Sequence, residues 1–310
     1  MMAAAPARSS TASTGIRAAL RESCPPRNPP SPQRSAARSA RRTAIGAEPT
    51  SRCRWPSGLC ATLEPVDDSF EAWDRHADWW QKEFTDGVDA EYEEQILPLA
   101  VDLLAGCNRV VDIGCGEGQV ARRLAGCVGE VVGVEPVGAQ IGEAACRGGG
   151  PVWAWAAAAH LPFHRDSFDG AVACLVFEHI TEVDEAIREV ARVLRPGGRF
   201  ALFLNHPLLQ TPNSGWIDDQ ILDPPEQYWR VGPYLTESVV DEEVYPGVIL
   251  PFVHRPLGRY VNALVDAGLV LSRMLEPAPP AGFLDRAREY GEAVTIPRLL
   301  VLLCERSSDR

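Results

Sequence analysis

The sequence predicts an α/β protein, a doubly wound parallel sheet with helices on both faces. Three observations point there. Between residues 109 and 205, short apolar runs rich in Val and Ala alternate with segments of helical period. Turns containing Gly or Pro punctuate the alternation, and the spacing leaves room for crossover helices. Strands alternating with helices at such a spacing form βαβ units, whose helices cover a parallel sheet from both sides.

Taken in order, Ser69 is placed to cap a helix through FEAWDRHADWWQKEF, and a second helix over residues 91–104 stops at Gly106. Residues 109–113 read as a buried strand, 119–124 as a helix and 130–135 as a strand. A helix over 138–146 and strands over 152–156 and 168–175 follow. Thr181 and Asp184 have the spacing of a capping box, opening a helix that ends at Arg195-Pro196-Gly197-Gly198. Residues 199–205 are the fifth strand. The pattern lapses over residues 206–253, which are rich in Pro, Gly, Asp and aromatics and too long for an ordinary connection. It resumes with a helix over 256–267 and strands over 269–275 and 296–304, a pair able to close as an antiparallel edge hairpin.

Composition bounds the function. A chain of 310 residues, 45% hydrophobic, buries a sizeable core. The apolar run at residues 299–304 is far too short to span a bilayer, so no membrane role is expected. A net charge of −12 argues against a general nucleic-acid binder. That figure averages two unlike parts. Residues 1–60 carry ten arginines against Glu22 and Glu48, a balance of +8, which leaves −20 to residues 61–310. The first sixty residues are rich in Arg, Ala, Ser and Pro without sustained periodicity, and read as a disordered or mis-started extension. Organelle targeting is the second reading, although the prolines between Pro25 and Pro32 would break the amphipathic helix it needs. Residues 61–310 read as one catalytic domain. The nine cysteines are scattered and form no Cys-x-x-Cys pair, which fits reduced thiols and a cytoplasmic setting.

The most informative string is VVDIGCGEG, residues 110–118, in which a strand ends at Asp112 and three glycines form the turn into a helix. Glycines there let backbone amides approach a ligand at the helix N-terminus. A dinucleotide loop looks similar, but its last glycine position falls here on Gln119. Asp112 and Glu117 flank the loop, where they repel a pyrophosphate and suit an ammonium. The next strand ends in GVEP, and Glu135 at its tip can accept both hydroxyls of a ribose. The ligand therefore reads as a nucleoside joined to a zwitterionic or cationic tail, a description that S-adenosyl-L-methionine meets.

At this point the chain resembles the class I S-adenosylmethionine-dependent methyltransferases, in the small-molecule group called methyltransferase type 11. The resemblance covers residues 70–305 and rests on VVDIGCGEG, VGVEP, HLPFHRDSFDGAVACLVFEHI and LRPGGRF, all in family order. It implies a Rossmann-like doubly wound sheet of seven strands, the last antiparallel, with residues 206–253 as a lid over the acceptor. It further implies that Asp112, Gly114 and Gly116 hold the methionine end, Glu135 the ribose, and Pro136 one side of the adenine. His160 and Leu161 would line the other adenine face, and backbone near Leu175 would meet the amino-acid tail. One position departs from the family, which often has an Asp four residues before that leucine. Here it is Ala157, within a run of four alanines, so a backbone contact or His160 must substitute.

Methyl transfer requires an aligned acceptor more than it requires acid or base, so catalytic candidates are few. His179, in FEHI, faces the acceptor side of the cofactor in this architecture, as a base, a substrate contact or a structural residue. A metal role is disfavoured, because the Glu-x-x-Glu-His pattern of some quinone O-methyltransferases has Leu175 at its first position here. His206 follows the fifth strand, at the sheet end where such folds bind ligands, and is the leading acceptor-site candidate. Trp216, Tyr228, Trp229 and Tyr234 either wall a pocket or pack the insertion onto the sheet, and the same two readings apply to Trp73, Trp79 and Trp80. Arg255 pairs with an acidic acceptor or with Asp241, Glu242 or Glu243. The function expected is methyl transfer to a small molecule. The alternatives are a nicotinamide-dependent oxidoreductase and a cofactor-binding protein without catalysis. The sequence does not reveal the oligomeric state.

Overall fold

A computed structural model describes residues 68–287 and 291–308. The expected extension over residues 1–60 lies outside them. Seven strands form one sheet: β1 (Arg109–Ile113), β2 (Glu130–Glu135), β3 (Val152–Trp155), β4 (Phe168–Cys174), β5 (Leu194–Asn205), β10 (Leu269–Leu275) and β11 (Leu299–Arg306). Their order is β10-β11-β5-β4-β1-β2-β3. Strands β1 to β5 pair in parallel, and β11 runs antiparallel to both neighbours, β5 and β10. The closing hairpin is therefore present, with β10 alone at the edge and β11 inserted beside β5. The winding reverses between β1 and β4, and ligands bind outside the strand ends at such a switch point.

Alternation along the strands divides the core between the two faces. On one face Val111, Ile113, Phe200 and Leu202 pack under α6 (Val183–Val193) and α8 (Leu257–Asp266). On the other, Val110, Ala201 and Phe203 pack under α3 (Leu97–Leu103) and α4 (Gln119–Ala125). Helix α5 (Gly138–Arg147) follows β2.

Four details differ from the sequence reading. The first helix is two, α1 (Asp68–Arg75) and α2 (Ala77–Glu83), interrupted at His76 (φ −109°, ψ 12°); Ser69 lies inside α1 and is not its cap. The second helix carries a π-turn over Tyr92–Ile96 before α3. Helix α6 has no capping box: Glu182 occupies its N-cap without a side-chain bond, and both Asp184 oxygens take Arg259 of α8 at 2.7 Å. The interhelix ion pair takes the carboxylate that the local pattern assigned to the cap.

The fourth difference is the insertion, which is regular rather than loop-like. After the short helix α7 (Pro207–Gln210) come two antiparallel hairpins, β6 (Gly215–Asp219) with β7 (Glu226–Arg230), and β8 (Ser238–Tyr245) with β9 (Val248–His254). Leu250 and Phe252 of β9 pack on Trp73 and Trp79, so the second hairpin is fastened to α1 and α2. That contact sets a roof over the strand ends.

Candidate active site

Two adjoining clefts lie at the carboxyl ends of the parallel strands. The first is an open cleft of about 1080 Å³. It is built on the β1 loop, where Gly114 takes φ +66° and a Cβ there would stand 2.5 Å from Val176 Cγ1. Only glycine serves at that position, because both the left-handed backbone and the close approach exclude a side chain. Opposite, Glu135 at the end of β2 is buried; its Oε2 accepts the Gly116 amide and its Oε1 the Val137 amide, both at 2.9 Å. One carboxylate thus ties the β1 loop to the turn after β2 while lining the cleft.

Asp112 is 1% exposed, and its Oδ2 has no hydrogen-bond partner. A buried carboxylate oxygen without a donor is costly unless a ligand supplies one. Desolvation pushes the Asp112 carboxyl up to about 7, helped by the negative charge of Glu135 and Glu117. Burial raises Glu135 to about 7 as well, against the pull of its two backbone donors. Glu117 behaves differently from its sequence reading. It is 1% exposed and ion-paired to Arg122 and to Arg147, the latter at 3.0 Å, so its charge is balanced by two arginines. The charge argument for an ammonium therefore rests on Asp112, with Glu135 beside it.

The other expected cofactor residues divide. Pro136 and Leu175 line the first cleft, and Leu175 holds φ +56° while its amide donates to the Phe203 carbonyl. His160 and Leu161 do not line it; Ala157, Ala158 and Ala159 do. His160 is exposed, its amide closing a turn onto the Ala157 carbonyl, and Leu161 is turned into the core. The four-alanine run thus lies at this wall, in place of the family's acid.

The second cleft, about 1380 Å³, shares Trp73, Trp80, Tyr92, Leu175 and His179 with the first. His179 stands at the junction, its ring edge-on to Trp73 (4.8 Å) and Phe252 (4.4 Å). Its Nδ1 lies 2.8 Å from the Pro251 carbonyl, which can only accept, so Nδ1 carries the proton and Nε2 is the basic nitrogen. Arg255 neither faces an acceptor nor pairs with the acids at 241–243. It is 3% exposed and donates to the Phe177, Ile180 and Thr181 carbonyls at 3.1, 2.6 and 3.0 Å, bracing the turn that carries His179. Glu178 in that turn is buried, accepts from the Asn205 side chain at 2.7 Å, and is pushed up to about 7 by desolvation.

His206 takes a different place from the one expected. Its Nδ1 accepts the Leu208 amide as the N-cap of α7, its Nε2 meets Glu276 at 2.9 Å, and it lines neither cleft. Among the insertion aromatics, Trp229 lines the second cleft with Trp216 edge-on behind it, Tyr228 is exposed, and the Tyr234 hydroxyl accepts the Leu257 amide. Trp73, Trp79 and Trp80 all line it. The sequence reading missed Tyr92, buried in the π-turn and facing both clefts; π-turns concentrate at functional sites, but nothing in the local sequence marks this one.

The raised carboxyls give a pH expectation. Below about 7 the Asp112 carboxyl is protonated in the folded chain, and capturing an ammonium must release that proton. Affinity for S-adenosylhomocysteine is expected to weaken by up to about tenfold between pH 7.5 and 6 and to level above, with Asp112→Asn weaker throughout and flatter. Calorimetry in buffers of different ionisation heat reads the proton release. By the same linkage Asp112, Glu135 and Glu178 bind more protons folded than unfolded above their ordinary range, so the ligand-free melting temperature should fall from pH 6 to pH 8.

Known proteins are similar to parts of this chain. Residues 111–202 match the family described as the methyltransferase domain. The O-methyltransferase resE of Aspergillus sclerotiorum is 37% identical over 102 residues, 31% of this chain and 39% of its own. The 27-O-demethylrifamycin SV methyltransferase of Amycolatopsis mediterranei is 35% identical over 140 residues, 41% of this chain and 49% of its own. The chain thus spans less than half the length of these curated relatives. A crystal structure of an S-adenosylmethionine-dependent methyltransferase from Mesorhizobium loti superposes with a TM-score of 0.61 at 26% identity, covering 71% of this chain and 100% of that one.

Proposed function

We propose that the chain, whose residues 111–202 match the methyltransferase domain, is an S-adenosylmethionine-dependent enzyme that transfers a methyl group to an oxygen of a small molecule held in the second cleft. The observation that carries this reading is the shared wall. The cleft built from Asp112, the glycine loop and Glu135 opens at His179 onto a second, aromatic-lined cleft, so a cofactor in one meets an acceptor in the other.

The residues present fit the cofactor. The partnerless Asp112 Oδ2 suits its ammonium, and Glu135, with one backbone donor on each oxygen, keeps lone pairs for ribose hydroxyls. When bound, S-adenosylmethionine supplies a methyl carbon whose bond to the positive sulfur breaks toward sulfur as the acceptor oxygen forms the new bond. The protein aligns the two and excludes water, which the roof of α1, α2 and β9 is placed to do. We assign the acceptor's proton to His179 Nε2 rather than to His206, which is held by Glu276 outside both clefts.

The names of the relatives favour oxygen as the methylated atom, since one is an O-methyltransferase and the other is named for a 27-O-demethyl substrate. The acidic body, at −20 over residues 61–310, favours a small molecule over a polyanion and fits a cytoplasmic setting. Among the described residues no helix is long and apolar enough to cross a membrane. Incubation with labelled S-adenosylmethionine and a metabolite extract should transfer label to a small molecule. Thermal stabilisation by S-adenosylhomocysteine and none by NADH is expected beside it. The absence of both transfer and stabilisation would sink the reading; stabilisation without transfer would leave a binding protein.

A further inference from the structure

Hydrogen-bonding capacity on the wall of the second cleft is lopsided. Its surface is mainly aromatic, with Trp79, Phe84, Trp229, Phe252 and Phe283 among the lining residues. Two carboxylates also line it, Glu91 with both oxygens engaged and Asp89 with one. Asp89 Oδ1 accepts the Tyr92 amide at 3.0 Å, and the two Glu91 oxygens take Arg298 Nε and Nη2 at 2.8 and 3.0 Å. Arg298 is further seated over the Phe283 ring at 4.1 Å, so its charge is spoken for.

The donors are not. Trp79 Nε1, Trp229 Nε1 and Arg286 Nε are each buried without a hydrogen-bond partner, and all three residues line this one cleft. Native proteins leave few buried donors unsatisfied, and three around one cleft call for a common explanation. Arg286 is also weakly paired: among the described residues its nearest carboxylate oxygen, Asp89 Oδ2, stands 4.0 Å away. Burial, and then the charge of Glu91, hold the Asp89 carboxyl above its ordinary range. A basic amine would meet no carboxylate free of an arginine, since Glu91 is paired to Arg298 and Asp89 Oδ2 stands 4.0 Å from Arg286. An oxygen acceptor would satisfy each of the three donors.

We propose that the acceptor is a flat, ring-containing molecule rich in carbonyl, hydroxyl or carboxylate oxygens, with an anionic oxygen received by Arg286, and that amines are excluded. This rests on reading the second cleft as the acceptor site. The ring system stacks among the indoles and phenyls, and the three orphaned N–H groups fix its orientation by its oxygens.

The test compares two probes of the same ring system, 3-hydroxy-2-naphthoate and 2-naphthylmethylamine, by calorimetry with the full chain. The hydroxynaphthoate is expected to bind at least about tenfold more tightly than the amine. Arg286→Met should remove most of that preference. Trp229→Phe keeps the ring but removes its N–H, and should weaken the hydroxynaphthoate about threefold or more. Neither variant should alter the Kd for S-adenosylhomocysteine, which also reports that it is folded. Equal or tighter binding of the amine, or a preference unmoved in both variants, overturns the proposal. The cofactor titration is read separately: failure of the wild type to bind S-adenosylhomocysteine overturns the methyltransferase reading, whereas a lost oxygen preference overturns this inference alone.

Discussion

Glu135→Ala should raise the Kd for S-adenosylhomocysteine by about 100-fold or more, with the melting temperature of the ligand-free protein little changed. The reasoning begins with what the side chain holds. Its two oxygens take the Gly116 and Val137 amides, so it shapes the glycine loop and the turn after β2 at once. It is also the group placed to receive ribose hydroxyls. Hydrogen bonds to a charged group contribute about 1.5–3 kcal/mol each, and losing two such bonds to the ligand removes about 3–6 kcal/mol of binding. Folding is less affected, because the carboxyl is buried at a desolvation penalty that holds it at about 7, and alanine removes the penalty along with the bonds. Glu135→Gln keeps one acceptor oxygen and should fall between. Calorimetry beside a thermal melt separates binding from folding. Binding within threefold of wild type would refute the place given to Glu135, and a collapsed melting temperature would show it to be chiefly structural.

How far the sequence carried this site follows from which interactions are local. The strands β1, β2 and β4 were legible because short runs rich in Val and Ala each precede a helical segment at βαβ spacing. Asp112, Gly114, Gly116 and Glu135 were legible too, since backbone geometry at a strand end dictates those residue types. Contacts between distant segments were not. Glu117 looked like a free acid until folding brought Arg147 to it, and Asp184 looked like a cap until Arg259 claimed it. His206 stands at the expected strand end, but its ring follows Glu276, seventy positions away, and leaves the clefts. The second hairpin carried an unused signal. That signal is the turn pair Pro246-Gly247 between β8 and β9; SVVDEEVY alternates in burial along β8, but its residue types do not alternate, so a period-two reading alone would have missed it. Tyr92 and the roof aromatics carried none, because an aromatic on a helix packs a core or walls a cleft with the same periodicity.

His179→Ala should lower kcat by about 10²–10⁴-fold for an acceptor whose hydroxyl must lose its proton in the reaction, while the Kd for S-adenosylhomocysteine stays within twofold. The ring is over-determined for a residue of merely structural use. The Pro251 carbonyl fixes its tautomer, Trp73 and Phe252 fix its plane, and Arg255 holds three carbonyls of the turn beneath it. Such holding is what positions a base within reach of a proton. A structural role, however, would also slow the variant, so the decisive measurement varies the acceptor. Among analogues of the acceptor found by label transfer, those with a hydroxyl already ionised at the assay pH need no base, and their loss in His179→Ala should shrink toward threefold. An equal loss for ionised and un-ionised acceptors would refute the base role. Arg255→Met tests the bracing: it touches neither cleft, so it should lower kcat less than His179→Ala does, with the same dependence on acceptor ionisation. That shared dependence would separate loss of an aligned base from general loosening, because a loosened fold slows every acceptor alike.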